Sequence, residues 1–175
     1  MEFIAIDIGT SFTKGAIVDV ESQKIRNISR RMGSAKLASA DPFFFELSPA
    51  DVLHGVTEVI GKLLSSSANC CGILMCGQMG GLVLCDGDGS ARSNYISWLD
   101  RRATNIHPSG GVTYFDRLAA EVGDRSCHIC GNEFRPGLPL SFLYYLRETG
   151  QLDELQGTVP VTLPDYVAAA LCNSR

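Results

Sequence analysis

No stretch of this sequence holds the roughly 20 mainly apolar residues that a bilayer span needs. Its apolar runs are short, so no membrane-spanning segment is expected. Basic residues are not in excess either. Lys and Arg number 15 against 19 Asp and Glu, for a formal charge of −4. A nucleic-acid or anionic-membrane binder would show a basic patch instead, so neither partner is expected. Lys24, Arg26, Arg30 and Arg31 make the only basic run, and it reads as a solvated strand or loop. The N-terminus, Met1 to Asp7, lacks the basic stretch of an export signal, and Asp7 interrupts its apolar residues. Charged residues are only 19% against 45% hydrophobic, which excludes a disordered chain. A GxxxxGK[ST] phosphate loop is absent. The 7 cysteines are odd in number and irregularly spaced. Without an export signal they read as reduced thiols of a cytoplasmic protein.

What is present is a chain of 175 residues, the length of one domain or of one domain plus part of another. Residues 3–8, 13–20 and 24–31 read as three strands joined by tight turns, an antiparallel meander. Residues 32–47 read as a loop. Ser48-Pro49-Ala50-Asp51 is a helix start, with Ser as cap and Pro at the first helical position. Val52, Val56, Val59, Ile60, Leu63 and Leu64 then form one apolar stripe at helical spacing. Cys70–Cys76 and Leu82–Cys85 read as short strands, and Tyr95–Trp98 as a third. Helices are expected from Thr113 to Val122, over 139–149 after Pro139, and over 164–172 after Pro164. This order is that of a layered α/β domain with a mixed sheet and flanking helices.

The sharpest local feature is Asp7-Ile8-Gly9-Thr10-Ser11-Phe12-Thr13-Lys14. A carboxylate at a strand end can hold a hydrated Mg²⁺. Gly9 lets the backbone approach a phosphate, and successive N–H groups from Gly9 to Ser11 can form an anion nest. Thr10 and Ser11 add hydroxyl donors, and Lys14 can set a cation on a terminal phosphate. The same residues also suit an ordinary hairpin turn.

This hairpin resembles the first phosphate motif of the actin/Hsp70/sugar-kinase superfamily. Two further stretches narrow the resemblance. Gly77-Gln78-Met79-Gly80-Gly81, with Asp86 beyond it and then Trp98-Leu99-Asp100-Arg101-Arg102, is similar to the substrate-lining GQMHG and W-x-D-x-R patterns of FGGY carbohydrate kinases, particularly the xylulokinase-like branch. Leu163-Pro164-Asp165-Tyr166 is similar to the family's L-P-x-D-Y helix start, one residue shorter. The resemblance covers residues 3 to 172. It implies a ribonuclease H-like fold, two such domains facing a cleft, and transfer of the γ-phosphoryl of ATP to a sugar or polyol hydroxyl. Carried over, Asp7 would orient Mg²⁺ through water, and Gly9, Thr10, Ser11, Thr13 and Lys14 would hold ATP. Gln78 and Met79 would line the sugar pocket, Trp98 would wall it, and Asp100 and Arg101 would stand near its polar side. The family's general-base Asp and its second, ATP-binding domain have no counterpart in residues 1–175. The chain is therefore expected to be an incomplete N-terminal domain, inactive alone. The resemblance leaves room for a homodimer of the full-length form. Gly80 in place of the family's His, Leu99 in place of Asn, and Ser141 in place of Lys leave the sugar unnamed.

Other readings stay open on the residues alone. One is an actin/Hsp70-like ATP-binding module, and another is a non-catalytic sugar-binding relative. Cys127-His128-Ile129-Cys130 lacks the second ligand pair that zinc would need, and reads as incidental thiols. Asp86–Ser90 begins like a calcium loop but lacks its later Gly and Glu, and reads as a hairpin turn. Cys70, Cys71, Cys76 and Cys85 are expected in the core. His54 is expected at the surface, and His107 without a visible partner.

Overall fold

A computed structural model describes residues 1–129, 131 and 134–172. Its backbone divides into two compact units. The first comprises residues 1–35, 47–78 and 163–175, and the second residues 36–46 and 79–162.

The first unit is built on a four-stranded sheet. The strands are β1 (Glu2–Ile8), β2 (Phe12–Asp19), β3 (Lys24–Met32) and β5 (Cys70–Gly77), in the order β3-β2-β1-β5. The short strand β4 (Glu46–Leu47) falls between them in the chain. β1 to β3 form the predicted antiparallel meander, and β5 joins β1 in parallel. Alternation drives the burial: Ile4, Ile6 and Ile8 all point to one face and are buried. Against that face packs α1 (Pro49–Leu64), started by the Ser48 hydroxyl, which accepts from the Asp51 N–H at 3.2 Å. Its stripe Val52, Val56, Val59, Ile60 and Leu63 is buried. Gly15 is where helix and strand meet: a Cβ there would lie 2.8 Å from carbons of Ile6, Val59 and Leu63. Leu163 and Val167 of the C-terminal helix, Leu163–Cys172, are also buried.

The basic run lies on β3, as expected. Arg26 pairs with Glu2, Arg31 with Glu58, and Arg30 stands 5.3 Å over the Phe12 ring. Its charge is spent on the scaffold rather than gathered into a patch.

The second unit holds β6 (Val83–Cys85), β7 (Tyr95–Ile96), α2 (Tyr114–Val122), α3 (Asp124–Ile129), α4 (Pro139–Glu148) and β8 (Val159–Val161). The C-terminal helix of the first unit is α5 in chain order. Leu82, Leu84, Ile96, Phe142 and Leu146 form one core cluster. Tyr114, Leu118, Tyr144 and Tyr145 form another. Asp86–Ser90 is the expected hairpin turn, its Asp86 N–H bonded to the Ser90 carbonyl at 3.0 Å.

Several expectations are corrected. Residues 95–98 form only the two-residue β7, because Ser97 and Asp100 turn the chain. β8 was not read from the sequence: Pro160 breaks the strand pattern, yet pairs opposite Leu84. Cys127 lies within α3, while Cys130 lies outside the described residues. Of the four cysteines assigned to the core, only Cys85 is buried, since β5 is an edge strand of its sheet. His54 is exposed as read. His107, by contrast, is well partnered: Nδ1 meets Ser109 Oγ at 2.8 Å, Nε2 meets Glu148 at 3.4 Å, and the ring packs on Tyr114. No helix among the described residues is long and apolar enough to cross a membrane.

Candidate functional site

In the first unit the candidate residues cluster where β1 and β5 end side by side. Asp7 pairs with Cys76 in parallel register and with Lys14 in antiparallel register. Ligand sites in open α/β sheets gather at the carboxyl ends of strands, and this is such an end. Asp7 is half-buried, and its Oδ1 takes only a weak 3.8 Å contact from the Cys76 thiol. Asp7, Cys76 and the exposed Lys14 face one side of the sheet, bordering a concavity of about 310 Å³ floored by Ala5 and Ala16. Gln78 directly follows β5, its N–H donating to the Ile8 carbonyl at 3.2 Å.

The turn itself is a closed hairpin. The Gly9 N–H donates to the Phe12 carbonyl at 3.0 Å, and the Gly33 N–H to the Ser11 carbonyl at 2.9 Å. Gly33 is required at that approach: a Cβ would lie 2.5 Å from the Thr10 carbonyl oxygen. Two site expectations are modified here. The Gly9 N–H closes the turn and does not join a nest, and none of Gly9, Thr10 and Ser11 has the positive φ on which nests are built. Thr13 is buried on the α1 face, opposite Asp7 and Lys14, by strand alternation. Thr10 and Ser11 lie on the turn, Thr10 half-buried and Ser11 exposed.

A hydrated cation fits Asp7. Among the described residues no group of three or more His, Cys, Asp or Glu could hold a metal directly. One half-open carboxylate can hold Mg²⁺ only through its waters, which Mg²⁺ gives up reluctantly.

The second unit carries Met79, Trp98, Asp100 and Arg101. Met79 is 83% exposed and Trp98 40% exposed, so both present apolar surface. Arg101 is exposed, and its Nη1 donates to the Trp98 carbonyl at 3.4 Å. Glycines with positive φ flank this shelf. A Cβ on Gly80 would stand 3.3 Å from the Trp98 Cβ, and one on Gly137 would stand 2.5 Å from the Trp98 carbonyl oxygen. The backbone at Gly80 (φ 78°) is one that a histidine would adopt only under strain. Ser141 is fully buried, its hydroxyl donating to the Leu138 carbonyl at 2.7 Å.

Asp100 has a different place from the one expected. It is fully buried, and both its oxygens are taken. Oδ1 accepts from the Arg102 backbone N–H at 2.8 Å and from Arg102 Nε at 2.9 Å. Oδ2 accepts from Arg102 Nη2 at 2.8 Å and from the Phe45 N–H at 2.7 Å. Sequence reasoning missed Arg102, buried at 1% exposure and also paired with Glu46. Burial works against its charge, but the two carboxylates outweigh burial and hold its pKa above the usual value. The signal was there: in the W-x-D-x-R spacing the arginine falls at 102, not 101.

Comparison with known proteins gives a consistent picture. Residues 3–151 match the model of the FGGY family of carbohydrate kinases, N-terminal domain. A xylulose kinase of Bacillus subtilis (strain 168) is 29% identical over 169 residues, spanning 94% of this chain and 32% of the relative. The chain therefore spans about a third of the length of that curated relative. Among solved structures, a xylulose kinase from Rhodospirillum rubrum superposes with a TM-score of 0.80 at 21% identity, over 97% of this chain and 34% of the other. A Plasmodium falciparum glycerol kinase with ADP superposes at 0.69 and 16% identity, over 96% and 33%. The shared fold is ribonuclease H-like.

Proposed function

This chain belongs to the FGGY family of carbohydrate kinases, and from that premise we propose that it forms the N-terminal part of an ATP-dependent kinase acting on a sugar or polyol hydroxyl. A xylulose-like ketose is the first substrate to test, given the relative. The observation that carries the reading is the end of β1: a half-open Asp7 and an exposed Lys14 on one face, joined by the Gly9-Thr10-Ser11 turn. The family match also favours the kinase over a chaperone-type ATPase module.

In this reading the Thr10 and Ser11 hydroxyls donate to phosphate oxygens, and Lys14 neutralises a terminal phosphate. Asp7 would hold Mg²⁺ through its water shell, and the ion would supply charge neutralisation when bound. Met79 and Trp98 offer an apolar face to the sugar ring, and Arg101 supplies a polar contact to its hydroxyls. Asp100 acts behind them, as an anchor. Residues 1–175 are read as an incomplete FGGY-type N-terminal domain, with the second ATP-binding domain and the general-base Asp outside them. We place the enzyme in the cytoplasm, free of nucleic acid and membrane, with a homodimer as an assembly of the full-length form.

Calorimetry on the purified chain tests this. Mg²⁺-ATP should bind in a manner weakened by Asp7→Ala and by Lys14→Ala. A coupled assay with ATP and D-xylulose should show no ADP release. Equal ATP binding by both variants would overturn the phosphate-site assignment, and robust turnover would overturn the placement of the base outside residues 1–175.

A further inference from the structure

Arg102 is a buried guanidinium that joins three segments of the second unit. Nε and Nη2 form a two-pronged grip on Asp100, and Nη2 also reaches Glu46. Its Cζ stands 4.2 Å over the Phe44 ring and 5.9 Å over Tyr145 of α4. The segment it touches, 43–46, is laced to the Trp98 loop by backbone bonds. Phe45 gives its N–H to Asp100 and takes the Ser97 N–H at 3.0 Å, and the Phe43 carbonyl takes the Arg101 N–H at 2.7 Å. Glu46 is steadied from the other side by Asn94 Nδ2 at 2.8 Å. Every buried side-chain polar atom among the described residues has a partner.

Such a network is an expensive way to gain stability. Desolvating the charges cancels much of their attraction, and an apolar cluster of equal volume would serve as well. What the planar fork supplies, and an apolar cluster does not, is orientation. The oriented object lies two residues before Asp100: Trp98 follows Ser97, whose carbonyl takes the Asp100 N–H at 2.9 Å. We propose that Arg102, with Asp100 and Glu46, is a positioning residue that sets the angle and exposure of the Trp98 ring, and with it the apolar wall of the ligand site. The ligand part of this statement rests on the function proposed above; the positioning part does not.

Trp98 is the only tryptophan, so its fluorescence reports this loop alone. The test measures acrylamide quenching and anisotropy of the unliganded chain, with circular dichroism as the check on folding. Arg102→Lys keeps a charge but loses the fork, so quenching is expected to rise about twofold and anisotropy to fall. Glu46→Gln removes only the outer carboxylate and should move both signals the same way by a smaller step. A folded Arg102→Lys chain with wild-type quenching and anisotropy overturns the proposal. If Arg102→Lys loses native dichroism, Glu46→Gln decides alone: wild-type signals there overturn it, and loosened ones support it. Adding D-xylulose to the wild-type chain probes the other premise separately. Failure of the sugar to protect Trp98 from quenching counts against the functional reading and leaves the positioning result standing.

Discussion

Asp7 and Asp100 are the same residue type put to opposite uses. Asp7 stands next to the end of a strand, half-open, with one weak thiol contact. Asp100 receives four N–H donors and has no lone pair left to offer. The glycines beside the Trp98 loop show the same dependence on surroundings. Gly81 has φ 76°, and a Cβ there would lie 2.5 Å from the Ile96 carbonyl oxygen. That carbonyl already accepts the Leu82 N–H at 3.0 Å, within the ladder that joins the loop to β7. Gly81→Ala must therefore strain the backbone and push on a fixed carbonyl. We expect it to cost about 2–3 kcal/mol, read as a lower urea midpoint with unchanged slope. Gly89 has a similar φ of 83° but open space around it. Gly89→Ala is the control and should cost about 1 kcal/mol or less.

At the scale of elements, α2 shows how local chemistry settles a boundary. Thr113 accepts from the Asp116 N–H at 3.0 Å, while Asp116 accepts from the Thr113 N–H at 3.0 Å, a reciprocal capping box. These bonds, the backbone one foremost and the Thr113 hydroxyl next, hold the Asp116 carboxyl below its usual 3.8. Thr113→Ala should lower stability by about 1 kcal/mol in urea titrations at pH 7. The pH dependence has a definite sign. A carboxyl lowered on folding stabilises above its unfolded pKa and ceases to as pH falls through the folded value. The penalty of Asp116→Asn should therefore be present at neutral pH and shrink below pH 3.8. A penalty that is flat with pH would show that the charge plays no part. The element-level misses have one cause. β8 exists only because β6 lies opposite it, and no residue within Val159–Val161 announces a partner some 75 positions earlier.

For the molecule as a whole, the chain passes between its two units at residues 35–36, 46–47, 78–79 and 162–163. Each unit carries its own buried residues: the isoleucines of β1 under α1 in one, and the two clusters around α4 in the other. Trp98 belongs to the second. A core defect in the first can therefore be followed separately. Gly15→Ala would force a methyl group against Ile6, Val59 and Leu63, an overpacking worth about 1–3 kcal/mol. The expected result is a larger shift of the dichroism midpoint than of the Trp98 fluorescence midpoint in urea. Equal shifts would mean that the chain unfolds as a single cooperative body.

Sequence alone determined what depends on neighbours a few positions apart. Turn chemistry and strand alternation placed the β1–β3 meander, capping residues placed the starts of α1 and α2, and motif spacing singled out Asp7, Lys14 and Trp98 as candidates. Tertiary structure decided what depends on contacts between distant segments. It buried Thr13 by packing α1 against its side of the sheet. It put three of the four supposed core cysteines at or near an open edge. It also withdrew Asp100 from the surface by setting Arg102 and residue 45 around it. The physical reason is that a side chain's availability is set by which donors and acceptors fold against it. Those partners stand far away in the sequence: Glu46 is 56 residues from Arg102, and Cys76 is 69 from Asp7.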